Sequence, residues 1–266
     1  MKLKLKLAPA NQGALWVRRG FAVFFKQPLA FTALFTGFLF SALLVLLVPL
    51  LGPLLLLMSL PLVSLGFMLA TQRTLQDRLP SPSVVVEPLR VDRVQTLSLA
   101  KMGLLYALGS VVIMTLCHWA DGGKLAALQD AMAKTNGNAE ELAALLADGQ
   151  LQWGLLLRLG LAALMSLPFW HAPALVHWGG LGVGKALFFS SVACWRNWTA
   201  FVVYALTWVA VIVLLGALAD ALVLLVLPPQ WVAMAAIPVG LMLSTVFYAS
   251  LYFSFADCFT QADAAS

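Results

Sequence analysis

The chain has 266 residues, of which 62% are hydrophobic and 10% charged, and its formal net charge is +5. An ordinary globular domain carries about 25% charged residues, and a soluble chain of this size could not cover so much apolar surface. The composition excludes a water-soluble fold and makes lipid the main solvent.

Five runs without Asp, Glu, Lys or Arg dominate the chain: residues 27–72, 102–120, 159–184, 197–219 and 221–256. They are continuous and do not alternate apolar with polar residues, which excludes barrel strands. The expected fold is therefore all-α, a polytopic transmembrane bundle of six spans forming one membrane domain. The first run is far longer than the apolar core of a cleavable signal peptide and turns straight into a second helix. Cys117, Cys194 and Cys258 show no metal-binding spacing and read as small core residues.

Met1–Leu7 alternates Lys2, Lys4 and Lys6 with leucine; it reads as a basic, frayed tail beside anionic headgroups, with a short strand as the other reading. From Asn11 to Lys26 the pattern turns helical. Leu15, Val17, Phe21, Phe24 and Phe25 gather on one side, and Arg18, Arg19 and Lys26 on the other. This is the pattern of a helix lying in the membrane interface. The stretch from Gln27 to Gln72 would be roughly 69 Å long as one helix, about twice the hydrocarbon thickness. It must fold back at Pro49, Gly52 and Pro53, giving spans at about 29–48 and 53–72, the second kinked at Pro61.

Pro80, Pro82 and Pro88 extend the following loop, and a helix is expected to restart near Pro88 and run into the third span, 100–119. Residues 121–153 form a helical cap. Leu125, Leu128 and Met132 mark one short amphipathic helix. Asn136-Gly137-Asn138 breaks it, and Asn138 caps a second helix with Glu140 and Glu141 in its first turn and Leu142, Leu145 and Leu146 on its apolar face. The fourth span, 155–173, is punctuated by Pro168 and Pro173. A second interfacial stretch, Lys185–Trp198, leads into the fifth span, 199–220, which ends at Asp220 or at Pro228-Pro229. The sixth covers 231–255.

Six alternating spans place thirteen of the sixteen Lys and Arg on the side of the termini. The positive-inside rule then puts both termini in the cytoplasm and the cap outside. This sorting accounts for the basic balance without a nucleic-acid partner. A faint internal echo joins Lys26-Gln27-Pro28-Leu29-Ala30-Phe31 to Arg196-Asn197-Trp198-Thr199-Ala200-Phe201. Each follows an interfacial stretch with a Phe-Phe pair, a likeness that any amphipathic lead-in to a hairpin would share and that parallel repeats in transporters would also give.

Gly13-x-x-Trp16-Val17-Arg18-x-Gly20, Gln27-Pro28-Leu29-Ala30, Val48-Pro49-Leu50-Leu51-Gly52 and Ser64-Leu65-Gly66-Phe67-Met68 together resemble a betaproteobacterial inner-membrane protein family of unknown function. Ala172-Pro173-Ala174-Leu175-Val176 and Arg196-Asn197-Trp198 are similar to it too. The resemblance implies a six-span fold in a Gram-negative inner membrane and carries no activity.

No nucleotide-binding, zinc-protease or serine-hydrolase motif is present. Nothing points to a cofactor, a metal or a particular oligomeric state. Arg158 is the strongest intramembrane candidate, because a charge at the bilayer centre costs roughly 2.5–3.5 kcal/mol on insertion scales; snorkelling to water is the favoured reading of it, with an intramembrane pair to Asp220 as the alternative. Arg18, Arg19, Lys26, Arg196, Asn197 and Trp198 are candidates for lipid headgroups and the interface. His118, His171 and His177 read as interfacial hydrogen-bonding groups. The favoured function is a non-enzymatic accessory or assembly factor that binds membrane lipids or other membrane proteins. A small-solute transporter or channel comes second and a lipid-modifying enzyme third. A water-filled path lined by Arg158, Asp220 and His171 would favour transport, and a packed bundle with a lipid-facing groove would favour the accessory factor.

Overall fold

A computed structural model describes residues 3–90, 92–133, 139–225 and 228–261. Among these, six helical segments are long and apolar enough to cross a membrane. They are α2 (Pro28–Leu46), α3 (Leu51–Leu75), α4 (Arg93–Asp121), α7 (Gly149–Phe169) continued by α8 (Ala172–His177), α10 (Trp198–Leu225) and α11 (Pro229–Cys258). Shorter helices are α1 (Gln12–Lys26), α5 (Lys124–Ala133), α6 (Ala139–Ala147) and α9 (Val183–Arg196). The all-α six-span expectation holds. The fifth span runs past Asp220 to Leu225. The Asn136-Gly137-Asn138 break lies outside the described residues.

Each boundary has a local cause. Pro28 and Pro173 sit in the first turns of α2 and α8, where the missing N–H leaves no bond unmade. The α2–α3 hairpin turns at Pro49–Leu51, where the Leu51 N–H donates to Pro49 O at 2.7 Å and Leu50 takes φ +64°. This is a γ-turn of the rarer, strained hand. The helix expected to restart near Pro88 begins instead at Arg93, after two 3-10 turns at Pro82–Val85 and Glu87–Arg90. Pro82 and Pro88 bring the chain into these turns, and Arg73 fastens the second by an ion pair to Glu87.

One expectation at the N-terminus is corrected. Residues Leu3–Leu5 form strand β1, antiparallel to β2 (Phe259–Gln261). The partner strand stands at the far end of the chain, so no local signal announced it. The strand pair holds the two ends of the chain at one end of the bundle. Helix α1 packs against both α10 and α11. Its buried face is Gly13, Trp16, Val17, Gly20, Val23 and Phe24, while Phe25 is exposed. Glycine, not only apolar bulk, defines that face: a Cβ on Gly13 would lie 2.1 Å from the Ala200 carbonyl oxygen.

The core sits in the half of the bundle that carries the termini. Trp16, Phe31, Phe67, Met68, Leu175 and Val246 are all buried there. In the cap, α5 buries Leu128 and Ala131, whereas Met132, expected on its apolar face, is exposed. The internal echo is confined to the hinges. Gln27 and Asn197 each separate a short helix from a span, but α1 packs on α10 and α11 while α9 packs on α7 and α8.

Candidate functional site

Arg158 lies nine residues into α7, and it pairs with Asp121 rather than with Asp220. Its Nη2 stands 3.4 Å from Asp121 Oδ2. Asp121 ends α4 and is buried, and its other oxygen accepts the Gly123 N–H at 2.8 Å. Gly154, one turn before Arg158 on α7, lets the end of α4 approach, since a Cβ there would lie 2.5 Å from Asp121 Cβ. A carboxylate at a helix C-terminus faces the negative end of the dipole, and the guanidinium offsets it. Asp220 is exposed on α10, which packs against α1, α9 and α11. The two chain neighbours α4 and α7 therefore supply the partner that composition assigned to a distant helix.

Arg158 separates two spaces. One, of about 390 Å³, lies between α3, α4, α7 and α11 and extends from Arg158 to Trp170. The other, of about 320 Å³, lies under α5 beside His118, Asp121 and Gln129. Neither is lined by Asp220 or His171.

A larger space is a cleft of about 850 Å³ between α7, α9, α10 and α11. Its walls are aromatic: Trp170, Trp195, Trp198, Phe201, Trp208 and Phe247 among others. Trp170 stands edge-on to Phe201, Tyr204 and Phe247, which fixes the floor. The Trp208 indole N–H is buried without an acceptor among the described residues. The volume lies in the range of roughly 300–1,000 Å³ typical of small-molecule sites.

The interface candidates divide. Arg18, Arg196 and Trp198 are exposed, as headgroup contact requires. Lys26 is exposed and pairs with Asp77 at 2.8 Å. Arg19 is held by Asp257 at 3.1 Å and sits over the Phe253 ring, and Asp257 also accepts the Trp16 indole N–H at 2.8 Å. Asn197 is withdrawn from lipid: it is 1% exposed, its Oδ1 accepts the Ala8 N–H at 2.6 Å, and its Nδ2 donates to Ala193 O and Lys6 O. An asparagine at a helix start reads as a cap in sequence. Here it is the buried tie between the N-terminal segment and the α9–α10 hinge. His171 is also buried, its ring among Phe201, Phe255 and Phe259 with no hydrogen-bond partner among the described residues, while Ser190 Oγ accepts its backbone N–H at 2.9 Å. His177 meets Gln95.

Among known proteins, the chain is similar to one from Burkholderia thailandensis that bears the name "probable inner membrane protein". The two are 31% identical over 251 residues, covering 94% of this chain and 92% of the relative. No family model matches the chain, and no solved structure matches it.

Proposed function

The chain belongs to the family of that Burkholderia inner-membrane protein, and from this premise we propose that it is a non-enzymatic accessory protein that holds a membrane lipid in the cleft of α7, α9, α10 and α11. It is a multi-pass inner-membrane protein, as its six apolar helices and its relative's name indicate. The observation that carries the lipid reading is the aromatic cleft, whose wall α10 packs only lightly on α11 and is buried over little of its length. Aromatic walls take hydrocarbon without a polar cost. Exposed Arg196, which follows the lining residue Trp195 in the chain, is the cation available for a lipid phosphate. The orientation that goes with this reading has both termini in the cytoplasm and the cap outside, following the basic residues.

The test is native mass spectrometry of the protein released from mild detergent, beside a Phe201→Ala, Trp208→Ala variant. Retained phospholipid in the parent and its loss in a variant that still melts cooperatively support the reading. Equal lipid in both overturns it, and a co-purifying membrane protein in place of lipid would make the cleft a helix-docking surface.

A further inference from the structure

The cavity below Arg158 is a slot with one charged end. Helix α7 from Arg158 to its C-cap Trp170 forms one wall, about 18 Å long at ~1.5 Å per residue. The opposing walls are mostly apolar residues of α3, α4 and α11, with Ser64, Tyr106, Ser110 and Tyr248 supplying hydroxyls. Arg158 is poorly satisfied where it stands. Its contact to Asp121 is 3.4 Å, longer than the roughly 2.7–2.9 Å of a good charge-assisted bond. Its Nε is buried with no acceptor among the described residues. The same guanidinium borders the second space under α5, so the slot's charged end opens toward the cap and its apolar end toward the bundle core.

A single cation at the head of an apolar slot is complementary to a single anion at the head of a hydrocarbon chain. We propose that this cavity binds a single-chain anionic amphiphile of the long-chain carboxylate class. Its carboxylate sits on Arg158 in competition with Asp121, and its chain lies along α7 toward Trp170. A monoanion fits better than a doubly charged phosphate, because Arg158 is the one Lys or Arg among the residues lining the slot and a second buried charge would lie uncompensated. Asp121 acts as the internal stand-in that keeps Arg158 paired while the slot is empty of ligand. This site is independent of the cleft lipid: the two spaces share Ser166, Trp170, Phe247 and Tyr248 as a partition, but not Arg158.

The experiment measures binding of oleate, oleyl alcohol and inorganic phosphate to the full chain in a non-ionic detergent. Arg158→Gln should weaken oleate roughly tenfold or more, the loss of a charge-assisted bond, and leave oleyl alcohol unchanged. Asp121→Asn should tighten oleate, since the competing charge is gone while the side-chain oxygen still accepts from Gly123. Displacement of oleate by inorganic phosphate alone would show that the chain is not recognised and overturn the proposal. So would an equal dependence of the alcohol on Arg158. Weaker oleate binding in Asp121→Asn would also overturn it, by making the pair structural only. If Arg158→Gln does not fold, the Asp121→Asn result decides by its sign.

Discussion

The two halves of the bundle are built from equally apolar residues and packed in opposite ways. In the half that carries the termini, Phe31, Phe67 and Val246 are completely buried; in the other, Leu47, Leu214 and Ile237 are each at least two-thirds exposed. Hydrophobicity does not separate them, because lipid tails solvate leucine as well as another helix does. What distinguishes the packed half is the short helices α1 and α9 set against the spans, close glycine contacts, and buried polar ties such as Asn197 and the Trp16–Asp257–Arg19 cluster. The open half has the α5–α6 cap and the lipid phase. The cleft and the Arg158 slot extend from the packed half toward the open one, where the helices begin to part.

The largest effect that would sharpen this contrast is steric. A Cβ on Gly13 would lie 2.1 Å from Ala200 O and 2.5 Å from Tyr204 N, both backbone atoms that cannot step aside. Gly13→Ala should therefore cost about 3 kcal/mol, at the upper end for overpacking. Gly216 on α10 has nothing within 4 Å, so Gly216→Ala should stay within about 0.5 kcal/mol of the parent. Thermal unfolding in detergent compares the two, and equal shifts would break the division into packed and open halves.

A smaller effect tests the polar ties. Asn197→Ala leaves the Ala8 N–H without its 2.6 Å acceptor in a buried setting, a loss of about 1–3 kcal/mol. The consequence should be local as well as global. Amide exchange at Leu3 to Leu5 should quicken, because Asn197 also holds the Lys6 carbonyl beside that strand. Unchanged exchange there would show that the strand pair stands without the tie.

These residues also show what could be read from the chain. The spans were legible because about 30 Å of hydrocarbon demands roughly twenty apolar residues and leaves few alternatives. Gly13 and Gly20 were visible as residues but not as a packing face, since a search for apolar bulk passes over glycine. Asp121 was assigned to the cap. Yet it precedes Gly122-Gly123, a helix stop with positive φ at both glycines, and Gly154 and Arg158 share one face of α7 at helical spacing. Together those signals place a carboxylate at the end of α4 opposite a gap and a cation. The pairing of β1 with β2 and the burial of Asn197 depend on contacts across more than 180 residues, and no local pattern encodes them.

The smallest effect concerns how the cap is held to the open half. Asp148 stands outside the spans as the N-cap of α7, where it accepts the N–H groups of Gln150 and Leu151 at 2.8 and 3.1 Å and the Lys124 ammonium from α5. The bond from Lys124 first, and then those from the backbone, hold its carboxyl below the usual value of 3.8. The folded protein thus binds this proton more weakly than the unfolded chain does. The stabilisation is complete above the unfolded value and is lost as the pH falls through the depressed folded one. The surface position keeps the effect local to the cap. A nitroxide carried in place of exposed Leu146 should gain mobility only in that acid window, and Asp148→Asn should abolish the pH dependence by removing the titrating group. Mobility in the parent that stays flat down to about pH 2, well below the unfolded carboxylate's range, would mean that α5 and α6 are held by Leu128 and Ala131 packing alone, and that the cap owes nothing to charge.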